Sequence, residues 1–219
     1  MDPFRSQNLS YGSYNSPEHD DFFHAVQSDP AAFTNSAPSL IVPVTRKLTD
    51  SIRKFMQEKT LLFVVINKLA ENPDAGADAA ANKTSGAERV GDETTGHDPN
   101  KPTPIGFVFL KASSPDMAHH RCSEMGVDIV KEHQGRGYGG EAIAWTLDWA
   151  FKNAGLHRVE LTVLGWNDGA RRLYEKIGFR EEGRRRECYF KDDQWWDGIR
   201  MGILKKEWDQ IRLREADKS

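Results

Sequence analysis

Residues 131–142 read KEHQGRGYGGEA and set Gly135, Gly137, Gly139 and Gly140 between a strand-like run and a helix-like one. A backbone this poor in side chains can turn sharply and lay successive N–H groups against a phosphate, with the positive end of the following helix behind them. Two phosphate-holding patterns overlap here. Gly135, Gly137 and Gly140 satisfy G-x-G-x-x-G, the fingerprint of a dinucleotide turn, while Gln134, Gly137 and Gly139 satisfy Q-x-x-G-x-G, the pattern of a coenzyme A loop. A glycine-rich helix entry without a ligand is the third reading.

The surroundings weigh against the dinucleotide. That turn needs its first glycine at the end of a strand and an acidic residue ~20 positions on, at the C-terminal end of another strand. Glu160 has the spacing but lies mid-strand between Val159 and Leu161, and residues 131–134 intervene between Val130 and Gly135. No Gly-Lys-Ser/Thr is present for a nucleoside triphosphate loop. Other groups with chemical capacity stand nearby. Glu124 and Asp128 share one face of the strand-like run 122–130, and Tyr174 sits on the core side of a helix-like run. Cys122 and Cys188 form no CxxC pair and read as two buried thiols, not a disulfide. His119 and His120 beside Cys122 lack further ligands at metal-binding spacing and read as loop residues, so no metal is expected.

The elements that must position these groups follow from periodicity and punctuation. Residues 4–12 alternate weakly and form a candidate first strand. Ser16 as N-cap and Pro17 at the first helical position predict a helix through Ser28. Leu48, Ile52, Phe55 and Met56 predict a second helix over 45–58. Runs 60–68 and 104–111 are rich in β-branched and aromatic residues and predict neighbouring strands. Between them, 70–104 holds Val90 as its only large apolar residue and is expected to be a disordered or mobile loop inside one domain that spans 1–219. The strand 122–130 contains Gly126, where a bulge is plausible. The glycine loop leads into a helix near Gly140 with Ile143, Leu147, Ala150 and Phe151 in a stripe and Gly155 at its stop. A strand over 157–164 precedes a helix capped by Asn167 and ended by Gly178, with Ala170, Leu173, Tyr174 and Ile177 on its core side. Two last strands, 179–190 and 196–204, meet near Asp192 and Asp193.

Composition sets the outer limits. Lys plus Arg total 30 against 33 Asp plus Glu, a net charge of -3, which gives no global attraction for nucleic acid or an anionic membrane. The arginines of GRRRE (183–187) split between strand faces, which argues against a nucleic-acid patch. No apolar run approaches the ~18 residues of a membrane span, and the start lacks a signal-peptide pattern. A soluble cytoplasmic protein is expected.

VDIVKEHQGRGYGGEAI, HRVELTVLGWNDGARRLYEKIGFREEGRRRECYF and WWDGIRMGILKKEW, in that order, resemble the coenzyme A-binding half of the GNAT N-acetyltransferase superfamily, closest in style to its RimJ/RimL and spermidine N-acetyltransferase branch. The strong likeness covers Glu124 to about Trp208, and a weaker one reaches back to Phe4. It implies an α+β (mixed α/β) fold, a mainly antiparallel twisted sheet of about seven strands flanked by helices, with strands splayed at an acetyl-CoA slot. The resemblance makes acetyl-CoA the donor, held by Gln134, Gly135, Arg136, Gly137, Tyr138, Gly139 and Gly140, by the strand edge at Ile129 and Val130, and by Asn167 and Ala170. It makes Tyr174 the general acid and Glu124 the base, with Asp128 or a water relay as rivals. The acceptor is then a primary amine: a protein N-terminal α-amine, a polyamine or another small amine. Acetyl passes to it directly in a ternary complex, and a homodimer is one assembly the family allows. Glu18, Asp20, Asp21, Asp192, Asp193 and Trp196 could seat a cationic acceptor or simply be solvated faces. A silent coenzyme A-binding or protein-interaction module is the alternative, and an NAD-binding enzyme a distant third. The long loop 70–104 and an N-terminal half without a substrate signature depart from the family pattern.

Overall fold

β-Branched and aromatic runs separated by glycine, proline and acidic turns draw the chain into strands β1 (Leu9–Ser13), β2 (Thr60–Lys68), β3 (Thr103–Lys111), β4 (Cys122–Ile129), β5 (Arg158–Leu164), β6 (Arg180–Lys191) and β7 (Gln194–Leu204). The helices are α1 (Asp20–Ser28), α2 (Pro30–Ser36), α3 (Arg46–Lys59), α4 (Tyr138–Lys152), α5 (Asp168–Ile177) and α6 (Lys205–Ala216). The structure is a computed structural model, and residues 2–70 and 102–217 are described. No described helix is long and apolar enough to cross a membrane.

The strands form one sheet in the order β1-β2-β3-β4-β5-β7-β6. Every pairing is antiparallel except that of β4 with β5, and that contact is brief: Cys122, Ser123 and Glu124 against Arg158, Val159 and Glu160. Beyond Glu124, β4 continues on β3 alone, from Met125 to Ile129, while β5 runs on beside β7. The sheet therefore parts along its middle. This mainly antiparallel, seven-stranded sheet with a central splay matches the architecture that the sequence resemblance implies.

Apolar side chains cover both faces. One face carries Tyr11, Val64, Ile66, Val108, Leu110, Met125, Val159, Leu161, Met201 and Ile203 against α4, α5 and α6, with the stripe Ile143, Leu147, Ala150 and Phe151 fully buried. Trp208 of α6 is buried there, its indole N–H donating to Asp148 Oδ1 at 3.0 Å. The other face holds Tyr14, Phe23, Val26, Val65 and Phe107, with Phe22, Ile52 and Phe63 around them, beneath α1 and α3. Burying such large side chains contributes roughly 1.5–3 kcal/mol each.

Several expectations need correction. The first strand begins at Leu9, because residues 4–8 curl back so that Tyr11 N–H bonds Phe4 C=O and Ser6 N–H bonds Leu9 C=O. The first helix begins at Asp20 and not at Pro17: Ser16 gives its hydroxyl to Asp20 Oδ2, so it does not cap a backbone N–H. Gly126 makes no bulge, for β4 pairs with β3 in unbroken register; its missing side chain leaves room for the Phe109 ring, which a Cβ would meet at 2.3 Å. Thr45 caps α3 as a start signal should, but Leu48 and Phe55 of its stripe are exposed. The two cysteines are free and half-buried. Residues 71–101, most of the segment expected to be a mobile loop, lie outside the described residues. The flanking β2 and β3 are antiparallel neighbours, as anticipated. Helices α2 and α6 were not anticipated.

Candidate active site

The glycine loop begins where β4 runs out. A short 3-10 turn, Lys131–His133, folds the chain back, with His133 N–H on Val130 C=O at 2.9 Å and Gln134 N–H on Lys131 C=O at 3.2 Å. Gly135 and Gly137 then adopt φ of +70° and +88°, a region costly to other residues. A Cβ at either would meet nothing within 4 Å, so the loop stands off the rest of the protein on that side. Gly137 is the N-cap of α4 and offers no side-chain cap, which leaves the first N–H groups of a 15-residue helix facing outward. A Cβ at Gly139 or Gly140 would meet Leu173 of α5 at ordinary contact distance, and Tyr138 is half-buried beside His133. Arg136 is exposed at the loop's tip. Desolvation, followed by the charges of Arg136 and Lys68, depresses the His133 imidazole below its ordinary value. An uncapped helix end behind an open, glycine-shaped loop fits a phosphate-bearing ligand.

The strand edge beside the loop is partly spoken for. Val130 N–H donates to Ile105 C=O at 2.9 Å, and Gln134 Nε2 donates to Ile129 C=O at 2.8 Å. Asn167 is also engaged at both ends of its amide: Oδ1 caps α5 by accepting from Ala170 N–H at 3.1 Å, and Nδ2 donates to Asn35 C=O at 3.0 Å. Contacts from these residues to a ligand arm would have to displace or share bonds the chain already makes.

Two carboxylates on one face of β4 end in different surroundings. Glu124 lies in the paired start of the strand, 40% exposed, in an ion pair with Lys111 Nζ at 2.7 Å. It lines a shallow hollow with Met117, His120, Cys122 and Glu160. Asp128 is four residues on, about 13 Å along an extended strand. It is half-buried beside the splay, opposite Phe107 of β3. Desolvation raises its carboxyl to about 6, and the Ser36 hydroxyl pulls the other way.

Tyr174 reaches the same splay from the opposite face of the sheet. It is half-buried on α5, edge-on to Phe179 with ring centroids 5.7 Å apart. Burial, and then the charge of Asp128, hold its phenol well above the ordinary value, so it stays protonated and can donate. The structure thus brings Tyr174 together with Asp128 and not with Glu124. Cys122 is no nucleophile candidate, since desolvation and the nearby Glu160 raise its thiol.

Sequence reasoning missed the wall that faces Asp128. Helix α2 starts with Asp29 accepting from Ala31 N–H at 2.9 Å and Pro30 at its first position, a start signal present in the sequence. Its end docks on the segment between β5 and α5: Trp166 Nε1 donates to Thr34 C=O at 3.0 Å, next to the Asn167–Asn35 bond. The Trp166 ring meets Tyr189 and Trp196 edge-on, at 6.3 and 6.0 Å between centroids. Helix α2 therefore straps the mouth of the splay on the Asp128 side.

Comparison with known proteins agrees with this geometry. The profile of the acetyltransferase (GNAT) family matches residues 71–179. The "Uncharacterized N-acetyltransferase YnaD" of Bacillus subtilis is 36% identical over 86 residues, 39% of this chain and 51% of that protein. The spermidine N(1)-acetyltransferase of Vibrio cholerae is 38% identical over 89 residues, 41% of this chain and 51% of that protein. The chain spans about half the length of these curated relatives. The crystal structure of spermidine N-acetyltransferase from Vibrio cholerae in complex with CoA and spermine shares the fold, with a TM-score of 0.67 at 21% identity, covering 93% of this chain and 99% of that one. Taken with the splayed sheet and the glycine loop at the head of α4, these matches show that the chain belongs to the acetyltransferase (GNAT) family.

Proposed function

We propose that the protein is an acetyl-CoA-dependent N-acetyltransferase that moves an acetyl group to a primary amine by direct attack in a ternary complex. The observation that carries this reading is the brief β4–β5 contact. It opens a slot through the sheet whose one side has the glycine loop and Tyr174, and whose other side has Asp128. Donor and acceptor can approach from opposite faces and meet between the strands.

Backbone N–H groups from Gly135 to Gly140 face the pyrophosphate, at the positive end of α4. Arg136 adds a charge-assisted contact at the tip. Asp128 is the base: above pH 6 it is ionised, and it takes the proton lost from nitrogen as the new C–N bond forms and the C–S bond breaks. Its demand depends on the acceptor. At pH 7, freeing a lysine-like amine of pKa ~10.4 costs roughly 4–5 kcal/mol, and an α-amine near ~8 only about 1 kcal/mol. Tyr174 meets the sulfur with its O–H and stabilises the charge that develops there. Because its phenol is held protonated against a thiol of pKa ~8.5, hydrogen bonding comes first and full proton transfer second. Glu124 stands too far down the strand to share this work directly.

Calorimetry with acetyl-CoA and with NAD, followed by thiol release from acetyl-CoA over a panel of amines, tests the proposal. Binding of acetyl-CoA with turnover of at least one amine is expected. Binding of NAD in its place would overturn the reading, and binding of acetyl-CoA with no turnover on a broad panel would point to a silent module.

A further inference from the structure

We propose that the acceptor is a primary amine carrying a single positive charge on an apolar or aromatic frame, and that Lys191 helps to exclude polyamines. This rests on the acetyltransferase reading above and narrows its acceptor. A polyamine presents cations at intervals along a flexible chain, so a site that prefers it needs carboxylates or open aromatic faces spaced to receive them.

Along α1, α2 and α3, on the Asp128 side of the slot, each carboxylate is matched by a cation, and the Trp166 face across the mouth is covered. The carboxylates of α1, α2 and α3 are Asp20, Asp21, Asp50 and Glu58. Each has a cation of α3 close by: Arg53 is 3.7 Å from Asp20 and 3.5 Å from Asp50, Arg46 is 2.6 Å from Asp21, and Lys54 is 3.9 Å from Glu58. Asp20 also accepts from the hydroxyls of Tyr14 at 2.7 Å and Ser16 at 2.6 Å. With Lys47 and Lys59 added, these helices carry no excess of negative charge. Across the mouth, the face of Trp166 is already covered. Lys191 Nζ sits over the Trp166 ring, 5.6 Å from its centroid, and is paired with Asp192.

Apart from the Ser36 hydroxyl, what remains around Asp128 on this side is apolar. Phe107 stands opposite it on β3, with Phe22 at 5.1 Å from the Phe107 ring, and Val130 packs in the same cluster. Trp166, held to Thr34 of α2, lies on the far side with Tyr189 and Trp196 behind it. Asp128 can hold one ammonium, and the frame behind that nitrogen meets rings and not charges.

The test is thiol release from acetyl-CoA with phenethylamine, a short peptide with N-terminal phenylalanine, spermidine and spermine, each at several concentrations. The first two separate a free amine from a peptide terminus as the source of the same chemistry. Wild-type protein should show kcat/KM at least about tenfold higher for one of these monoamines than for either polyamine. Lys191→Ala uncovers the Trp166 face and should shift the spermidine-to-monoamine ratio toward spermidine by about two- to fivefold. Lys191→Gln, which keeps most of the stem's packing, should do the same and guards against a folding defect. Preference for a polyamine in the wild type, or a ratio that neither variant moves, would overturn the inference while leaving the acetyltransferase intact. Acetyl-CoA binding without turnover of any amine would overturn both, so the two failures are distinguishable.

Discussion

At its start β4 pairs with β5, and Glu124 there faces solvent and Lys111. Four residues on, the same strand has left β5 and pairs with β3, and Asp128, on the same face as Glu124, looks across the splay toward Tyr174. The two carboxylates differ little in kind. On the function proposed above, their surroundings give them different work: an exposed ion pair keeps a carboxylate solvated, whereas partial burial without a cation suits one to act as a base. On that proposal, parting β4 from β5 at this point creates the substrate slot and the base together.

Perturbing the two ends of β4, and the groups that converge on its open end, should give graded effects. The largest is expected at Tyr174. Tyr174→Phe should lower kcat by roughly 10²- to 10⁴-fold with little change in acetyl-CoA affinity, as single-turnover thiol release and calorimetry can separate. Next comes the loop that the open end leads into. Gly137→Val places a β-branched residue at φ +88° with its side chain in open space. It should leave the fold intact, at a cost of about 1–2 kcal/mol, and weaken acetyl-CoA binding by at least about tenfold in calorimetry. Asp128→Asn should stabilise the protein. The folded carboxyl titrates at about 6 against an ordinary 3.8, so its ionisation opposes folding increasingly as pH rises from about 4 to about 6. The variant should therefore gain about 1–3 kcal/mol over wild type above pH 6, and the gain should vanish below about pH 4, in urea unfolding. The smallest effects belong to the paired end: Glu124→Gln should change stability by less than about 1 kcal/mol, as removal of an exposed ion pair does, and turnover by no more than about twofold.

What the sequence made legible was local. Asn167 and Gly178 cap and stop α5, and the stripe of α4 is buried, because such signals act within a few residues. The Ser16–Pro17 and Asp29–Pro30 pairs carry the same start signal, yet only the second begins a helix. The difference is partly local, since Tyr14 and Ser16 converge on Asp20, and partly tertiary, since the end of α2 docks on Trp166 and Asn167. The resemblance favours Glu124 over Asp128 as the base, and the strand pattern cannot correct that choice, for the same reason. Residues an even number apart on a strand share a face, and which of them stands at an opening depends on where a strand some 35 residues later stops pairing. The closeness of Asp128 to Tyr174 is information carried by the register, not by either residue's neighbours in the chain.

The pH dependence of kcat/KM from about pH 5 to 9, measured on wild type, Asp128→Asn and Glu124→Gln with one amine acceptor, tests the assignment most directly. The acceptor's own titration, near ~8 or above, adds the same rise to all three proteins, so an ionisation near 6 shows as a change of slope between them. Wild type and Glu124→Gln should both gain activity through an ionisation near 6, and Asp128→Asn should be about 10²-fold slower or more with that limb gone. A limb and a rate that survive in Asp128→Asn and are lost in Glu124→Gln would contradict it.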